Sequence, residues 1–280
     1  MRYWEQSPCL PLAQHVECFW FLANDNDATT RIDAERVFPD GCLEWIFQLA
    51  DLFQRSSLSG DWETQPRSFV VGQLTRFLLL QPTGRVEIMG VRFKPGGAYR
   101  FLPLPLDCLT DRNVATSDVW GRSGSYIEGA VLEVSDNVRR QKLVEKFLLN
   151  QLQRTTQRPR LEAAVEEVIR SRGQTRVRDL ASRLDVSSRQ LEREFRSGVG
   201  SSPKALARII RFQNLLRLVG EGALREWAHV ALESGYSDQP HMVREFREFA
   251  GQSPSASDMS GQLGSHFISP HRLATLLGPS

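Results

Sequence analysis

The most constraining feature of this 280-residue chain is a motif that occurs twice. Residues 193–203 read REFRSGVGSSP and residues 244–254 read REFREFAGQSP, so the two copies begin 51 positions apart. A solenoid needs about three or more repeats to bury a continuous core, and two copies are too few. The repeat therefore predicts a pair of related supersecondary units within one domain.

Each copy has the periodicity of two helices separated by a short turn. In the first copy, one apolar stripe recurs at the spacing of a helical face and a second stripe follows after a break. Asp185 occupies the break where the second copy has Gly235, a position that suits a backbone with positive φ. Ser187 and Ser237 follow as predicted N-caps. The first-copy stripes are Val177, Leu180, Ala181 and Leu184, then Leu191, Phe195 and Val199; those of the second copy are Leu224, Trp227, Ala228, Ala231 and Leu232, then Met242, Phe246 and Phe249.

This pattern is typical of a helix-turn-helix, whose second helix enters the DNA major groove. Two helical hairpins that only pack on each other are the alternative. Pro203 can open a helix, and residues 205–219 form one long predicted helix that joins the two units. The doubled unit with a joining helix favours the DNA-binding interpretation.

The joined arrangement resembles the DNA-binding domain of the AraC/XylS family of transcriptional regulators. The resemblance depends on the motif A-x-x-x-GYSDQPHM-x-R-x-F at residues 231–246, closed by G-x-SP at 251–254, and it covers about residues 160–256. Three positions depart from the family pattern. Asp185 replaces the usual turn glycine, Pro240 replaces a common serine, and Leu215 stands where the joining helix usually has alanine.

The resemblance implies double-stranded DNA as the partner, with RNA polymerase, a small-molecule effector and a second copy of the chain as further candidate partners. Arginine can bond guanine O6 and N7 bidentately, glutamine can do the same for adenine, and either can instead hold phosphates. Arg208 and Arg211 on the joining helix are candidate contacts to the DNA backbone, with solvated side chains as the alternative. The groove-facing residues carried over by position are Arg189, Gln190 and Arg193, then Gln239, His241 and Arg244.

The first 115 residues predict a β-rich domain, a small barrel or sandwich, because short apolar runs alternate with Gly and Pro turns. Strands are predicted at 43–49 and 69–71, and a hairpin at 77–93 with Gly90 as a bulge. The segments 38–42 and 90–97 resemble the sensory domain of one AraC-family branch. Glu44, Trp45 and Arg92 are candidate effector-binding residues, and a filled aromatic core is the alternative.

These patterns together predict an α+β chain. The sensory or dimerisation domain spans 1–153, with helices from 117 to 153, and a polar linker covers 154–159. The helix-turn-helix domain spans 160–256, and 257–280 is predicted to be a loose tail. Leu143, Val144, Phe147, Leu148 and Leu152 form a stripe that either packs on its own domain or forms a dimer seam.

Charge and composition limit the function classes. Residues 160–254 contain 16 basic and 13 acidic side chains, a modest net +3, so arginine placement rather than bulk charge supports DNA binding. The sequence predicts no signal peptide and no membrane span, hence a cytoplasmic protein. The resemblance to the AraC/XylS family implies that the protein is bacterial. Cys9, Cys18, Cys42 and Cys108 lack metal spacing and are predicted thiols, and no catalytic motif, cofactor or metal site is predicted. The rival interpretations are a DNA-repair or modification protein with a fused helix-turn-helix module and a helical interaction module that does not bind DNA.

Overall fold

The computed structural model describes residues 1–24, 33–56, 60–220 and 226–254. Within these ranges, the N-terminal region contains ten short strands. In chain order they are β1 Arg2–Gln6, β2 Val16–Ala23, β3 Glu35–Val37, β4 Glu44–Gln48, β5 Phe53–Ser56, β6 Trp62–Thr64, β7 Ser68–Val71, β8 Leu78–Pro82, β9 Glu87–Phe93 and β10 Asn113–Ala115.

The strands form two antiparallel sheets. Six strands lie in the order β1-β2-β9-β4-β7-β10, and four lie in the order β3-β8-β5-β6. Strand β4 is buried on both faces, since Trp45, Phe47 and Ile46 are all in the core. The predicted β-rich domain with trailing helices is confirmed, and both the 43–49 and the 69–71 strands are present.

The predicted hairpin over 77–93 is wrong, although both of its strands exist. Strand β8 pairs with β3 and β5, whereas β9 pairs with β2 and β4, so the two strands belong to different sheets. The segment that connects them is bonded to residues 51–52 instead. The amide of Thr83 donates to the carbonyl of Leu52, and the amide of Arg85 donates to the carboxylate of Asp51. The turn residues at 82–84 predict that the chain reverses direction, but they do not determine which strands β8 and β9 pair with.

Gly90 is not a bulge either, because it pairs in regular register with Trp20 and Ile46. A Cβ at Gly90 would lie only 2.1 Å from the Trp20 indole. The glycine therefore allows an aromatic ring to cross directly over the strand. The irregularity in this sheet occurs between Val16 and Cys18 on the neighbouring strand β2.

Three helices follow the strands: α1 Thr116–Trp120, α2 Arg122–Glu133 and α3 Asn137–Leu152. Val144 and Leu148 on α3 are fully buried, and the Phe147 ring lies 5.4 Å from that of Trp45. The stripe on α3 therefore packs on its own domain, which is the first of the two alternatives.

Across residues 159–220 and 226–254, the described part of the C-terminal region, there are six helices: α4 Pro159–Arg170, α5 Val177–Arg183, α6 Ser188–Val199, α7 Pro203–Gly220, α8 Trp227–Glu233 and α9 Gln239–Ala250. The predicted joining helix is confirmed as α7, with Pro203 as its first residue. Leu224 and the predicted tail at 257–280 lie outside the described residues.

Candidate nucleic-acid interface

The first helix-turn-helix unit is α5 and α6. Asp185 in the turn has φ +53°, as the pattern predicts, and the amide of Val186 donates to the carbonyl of Ala181 at 3.1 Å. Ser187 is the N-cap of α6, and its hydroxyl accepts the amide hydrogen of Gln190 at 3.2 Å. The predicted turn and cap of this unit are confirmed.

The second unit, α8 and α9, repeats this geometry with one change at the cap. Gly235 has φ +89°, and the amide of Tyr236 donates to Ala231 at 2.9 Å. The predicted N-cap Ser237 is wrong. Asp238 caps α9 instead, because its carboxylate accepts the amide hydrogen of His241 at 2.7 Å. This bond and a second one from Ser237 lower the pKa of Asp238 below its ordinary value.

Large apolar side chains fix the orientation of both second helices. Leu191 and Phe195 of α6 are fully buried, and Met242 and Phe246 occupy the corresponding side of α9. The Phe246 ring lies 5.6 Å from Phe212 on α7. Because the apolar side of each helix faces the core, its polar side faces solvent.

That polar side holds the residues predicted to face the DNA groove. Arg189 and Arg193 on α6 are exposed, as are Gln239 and Arg244 on α9. Gln190 is half-buried and its side-chain amide donates to Glu194 at 3.1 Å. His241 is also half-buried, with Nδ1 lying 3.1 Å from the hydroxyl of Ser237. The structure thus brings three predicted residues together on each second helix.

Arg208 and Arg211, the predicted backbone contacts, form ion pairs within the protein. Arg208 Nε lies 2.7 Å from the buried Glu245 carboxylate and the same guanidinium also bonds Glu248. Arg211 lies 3.3 Å from Glu245. Burial disfavours the charged form of Arg208, but the hydrogen bonds to Glu248 and Glu245 outweigh it and raise its pKa. Both arginines therefore brace α7 against α9.

Glu245 is the main residue of the site that sequence reasoning did not single out. A signal was present, because Glu245 occupies the same position in the repeat as Glu194. The Glu194 carboxylate lies 3.8 Å from the Arg160 guanidinium of α4. Each repeat therefore uses its glutamate to bond an arginine of a neighbouring helix.

The candidate effector residues lie in the packed core of the N-terminal domain. Trp45 is fully buried, its Nε1 donates to Thr116 at 2.9 Å, and its ring lies 4.6 Å from that of Trp120. Arg92 is 1% exposed and bonds the carboxylate of Glu44 at 2.6 Å. The same guanidinium also pairs with Asp40 and lies 3.5 Å from Glu17. This placement agrees with the core-filling alternative.

The N-terminal domain contacts both second helices at their C-terminal ends. Gly200, with φ +84°, ends α6, and its carbonyl accepts a hydrogen bond from the Thr110 hydroxyl at 2.6 Å. Gly251, with φ +74°, ends α9, and a Cβ there would lie 2.2 Å from the Phe77 ring. The amide of Phe77 also donates to the carbonyl of Phe249 at 3.0 Å. The N-terminal turns of both helices stay outside these contacts.

Among the described residues, no group of three or more His, Cys, Asp or Glu side chains is placed to hold a metal ion. Within the same ranges, no helix combines the length and the apolar character needed to cross a membrane.

Two family models match separate parts of the chain. Residues 180–257 match a family described as a helix-turn-helix domain, and residues 5–115 match a domain of unknown function, DUF6597. Among the curated proteins, no relative was found.

Solved structures of ToxT from Vibrio cholerae are similar to this chain. One at 1.65 Å resolution is 11% identical, with 84% of this chain and 96% of that chain covered and a TM-score of 0.45. Another, of unsaturated fatty acid bound wild-type ToxT from strain SCE256, is 13% identical, with 84% and 93% covered and a TM-score of 0.43.

The family match over 180–257 begins within α5 and then covers α6, α8 and α9 with their turns and caps. Two helix-turn-helix units joined by one long helix are the arrangement that the sequence motif predicts. The chain is therefore a DNA-binding transcription regulator that carries a helix-turn-helix domain of the AraC type at its C-terminus.

Proposed function

We propose that the two units bind one asymmetric DNA site from one side of the duplex, with α6 and α9 in successive major grooves. The observation that carries this proposal is the equivalence of Arg193 and Arg244, which occupy the same repeat position and are both exposed. Helices that enter successive major grooves lie about 34 Å apart. Helix α7, braced by Arg208 and Arg211, would fix that spacing.

In this proposal α6 presents Arg189, Gln190 and Arg193, and α9 presents Gln239, His241 and Arg244. The exposed arginines are suited to guanine or phosphate, and the glutamines to adenine. Gln190 would exchange its bond to Glu194 for a bond to a base.

The test measures Arg193→Ala and Arg244→Ala against a library of variants of a site selected from genomic DNA, at two salt concentrations. A base-reading arginine costs roughly 1–3 kcal/mol on removal and relaxes preference at its own position. A phosphate-binding arginine weakens all sequences evenly and reduces the salt slope by about one. Arg193 and Arg244 should affect separate halves of the site.

Arg139→Ala is the matched control. Arg139 is exposed on α3, far along the chain from both units, and its removal changes the net charge by the same amount. If neither Arg193→Ala nor Arg244→Ala differs from this control at any position of the site, the assignment of α6 and α9 as recognition helices is wrong.

We infer that a small effector controls this binding through the N-terminal domain. A cleft of about 710 Å³ lies where that domain meets α4, and it offers a better site than the packed core around Trp45. The charged walls of this cleft suit a polar organic molecule. His15 is part of the lining, and its burial, together with the nearby charge of Arg100, lowers its pKa and so favours the neutral imidazole. The polar lining residues are Gln14, His15, Glu17, Lys94, Gln157, Glu162 and Glu166.

A thermal-shift screen of metabolites, followed by DNA-binding measurements with each compound that stabilises the protein, tests the effector. Stabilisation that Lys94→Ala and Glu162→Ala both weaken would support this cleft. If no stabilising compound alters DNA binding, the domain is structural or dimerising. Contacts to RNA polymerase and to a second copy stay predictions.

The rival interpretation as a DNA-repair or modification protein requires a reactive cysteine in a basic, partly exposed site. Cys42 is buried, and although Arg92 opposes the effect, burial raises the pKa of its thiol well above the ordinary value. The thiolate is thereby disfavoured, so regulation without catalysis is the better supported proposal. A gel shift that detects no DNA binding would instead favour the helical interaction module.

A further inference from the structure

The loop that connects α4 to α5 carries a dense group of arginines. Residues 170–176 read RSRGQTR. Together with Arg183 of α5, this loop forms a cleft of about 490 Å³ that we name the arginine cleft. Its lining includes Arg170, Arg172, Arg176, Arg183, Gln174 and Thr175.

The loop is held in a defined shape against α7. Arg172 has φ +51° and Gly173 has φ +74°, which turns the chain sharply after α4. The amide of Gly173 donates to the carbonyl of Val168 at 2.9 Å. A Cβ at Gly173 would lie 2.0 Å from the carbonyl oxygen of Ala207, so only glycine lets the loop lie this close to the joining helix.

The acidic groups near the arginine cleft compensate only part of its positive charge. Glu167 bonds two of the arginines, Arg170 and Arg183. Asp179 lies 3.9 Å from Arg178. Among the residues that the structure describes, Arg172 and Arg176 have no carboxylate partner. The structure therefore keeps two guanidinium groups of this cleft available to an external anion.

The loop of the arginine cleft leads directly into the first helix-turn-helix unit and contacts the second unit. Arg176 directly precedes α5 of the first unit. A Cβ at Gly235, in the turn of the second unit, would lie 2.7 Å from the Gln174 side chain. Gly235 stands three residues before Asp238, the N-cap of α9. The loop thus borders the start of the first unit and contacts the turn of the second unit.

We propose that the arginine cleft binds phosphates of the duplex between the two major-groove segments. This inference rests on the proposed function, because two helices in successive major grooves leave the intervening minor groove and its flanking phosphates opposite the protein. Guanidinium groups bind phosphate oxygens bidentately and are only weakly hydrated. Arg172 and Arg176 each contact one phosphodiester and read no base.

The test uses the full chain with Arg172→Gln and Arg176→Gln, singly and together. Each lost phosphate contact reduces the slope of log K against log salt by about 0.9. The double variant should therefore lose about 1.8 in slope and bind about 60-fold more weakly at 0.1 M salt, equally for all sequences. Base preferences in the site library should not change. Arg139→Gln is the control for charge and thermal melting is the control for folding.

The outcomes separate this inference from the proposed function. If the parent chain binds specifically and the double variant has the same slope of log K against log salt, the arginine cleft does not bind phosphates, but the proposed function still stands. A change of base preference at the centre of the site also overturns the phosphate-binding role of the arginine cleft, because that result means base reading in the minor groove. No specific binding by the parent refutes both proposals. If the double variant does not fold, the two single variants decide, each with an expected slope change of about 0.9.

Discussion

Replacement of Glu245 by glutamine tests whether the ion pairs between α7 and α9 stabilise the second unit. The Glu245 side chain is 8% exposed and faces Arg208 at 2.7 Å and Arg211 at 3.3 Å. Nε2 of His241 lies 3.5 Å away on the same carboxylate. Glutamine keeps the shape but removes the negative charge, so two guanidinium groups lose their shared counter-ion.

The magnitude follows from the burial of the partners. Removal of one member of a fully buried ion pair costs about 3–5 kcal/mol. Arg208 and Arg211 keep 24% and 16% of their side-chain surface exposed, so water can solvate part of the charge that is left. We therefore expect Glu245→Gln to lower the free energy of unfolding by about 2 kcal/mol, below the range for a fully buried pair.

Urea unfolding at neutral pH measures this loss, and with a slope near 2 kcal/mol/M the midpoint should fall by about 1 M. Glu248→Gln is the matched control, because Glu248 bonds the same Arg208 but is 47% exposed. An exposed pair contributes roughly 0–1 kcal/mol. Equal midpoints for the two variants would refute the argument that burial of Glu245 makes its ion pairs stabilising.

Two further outcomes are expected. The bond from Arg170 and the nearby charge of Arg183 lower the pKa of Glu167 against the opposing effect of burial, so Glu167 stabilises the fold above its ordinary pKa of 4.5. This contribution should disappear as the pH falls through the lower folded pKa. Chemical unfolding should therefore show a difference between Glu167→Gln and the parent at pH 7 that shrinks as the pH is lowered below 4.5. A fragment starting near Arg158 should fold and keep specific DNA binding. It should unfold at a lower denaturant concentration than the same region in the whole chain, because Leu206 and Ile210 lose their packing against the backbone at Gly41. An insoluble fragment, together with a linker at 154–159 that resists limited proteolysis, would count against two independent domains.

Local chemistry made the helical half of the chain predictable. The break at Asp185 and the cap at Ser187 depend on backbone preferences within a few residues, and both are confirmed. The cap of α9 shows the limit of this reasoning. Ser237 and Asp238 are adjacent and both can cap a helix, and only the bond to the His241 amide decides between them.

Partners that are distant in sequence were not predictable from pattern. The strand signals of β8 and β9 are real, but their pairing with different sheets depends on chain segments far from the turn between them. Arg208 and Glu245 are 37 residues apart, and each alone reads as a solvated helix residue. Trp45 and Arg92 have side chains that are common in ligand sites, yet Trp45 bonds Thr116 and Arg92 bonds Glu44 inside the domain.

The contacts at Gly200 and Gly251 suggest how an effector signal could reach the DNA. The N-terminal domain contacts α6 and α9 at their glycine ends, and Gln213 of α7 donates to the carbonyl of Pro39 at 2.6 Å. These contacts lie away from the first turns of α6 and α9, so the domain holds the two helices without covering their exposed polar side. A ligand shifts such an equilibrium only by its difference in affinity between the two arrangements. An effector that binds at the cleft beside α4 must therefore change how the domain meets the helices, because tight binding alone would leave DNA affinity unchanged.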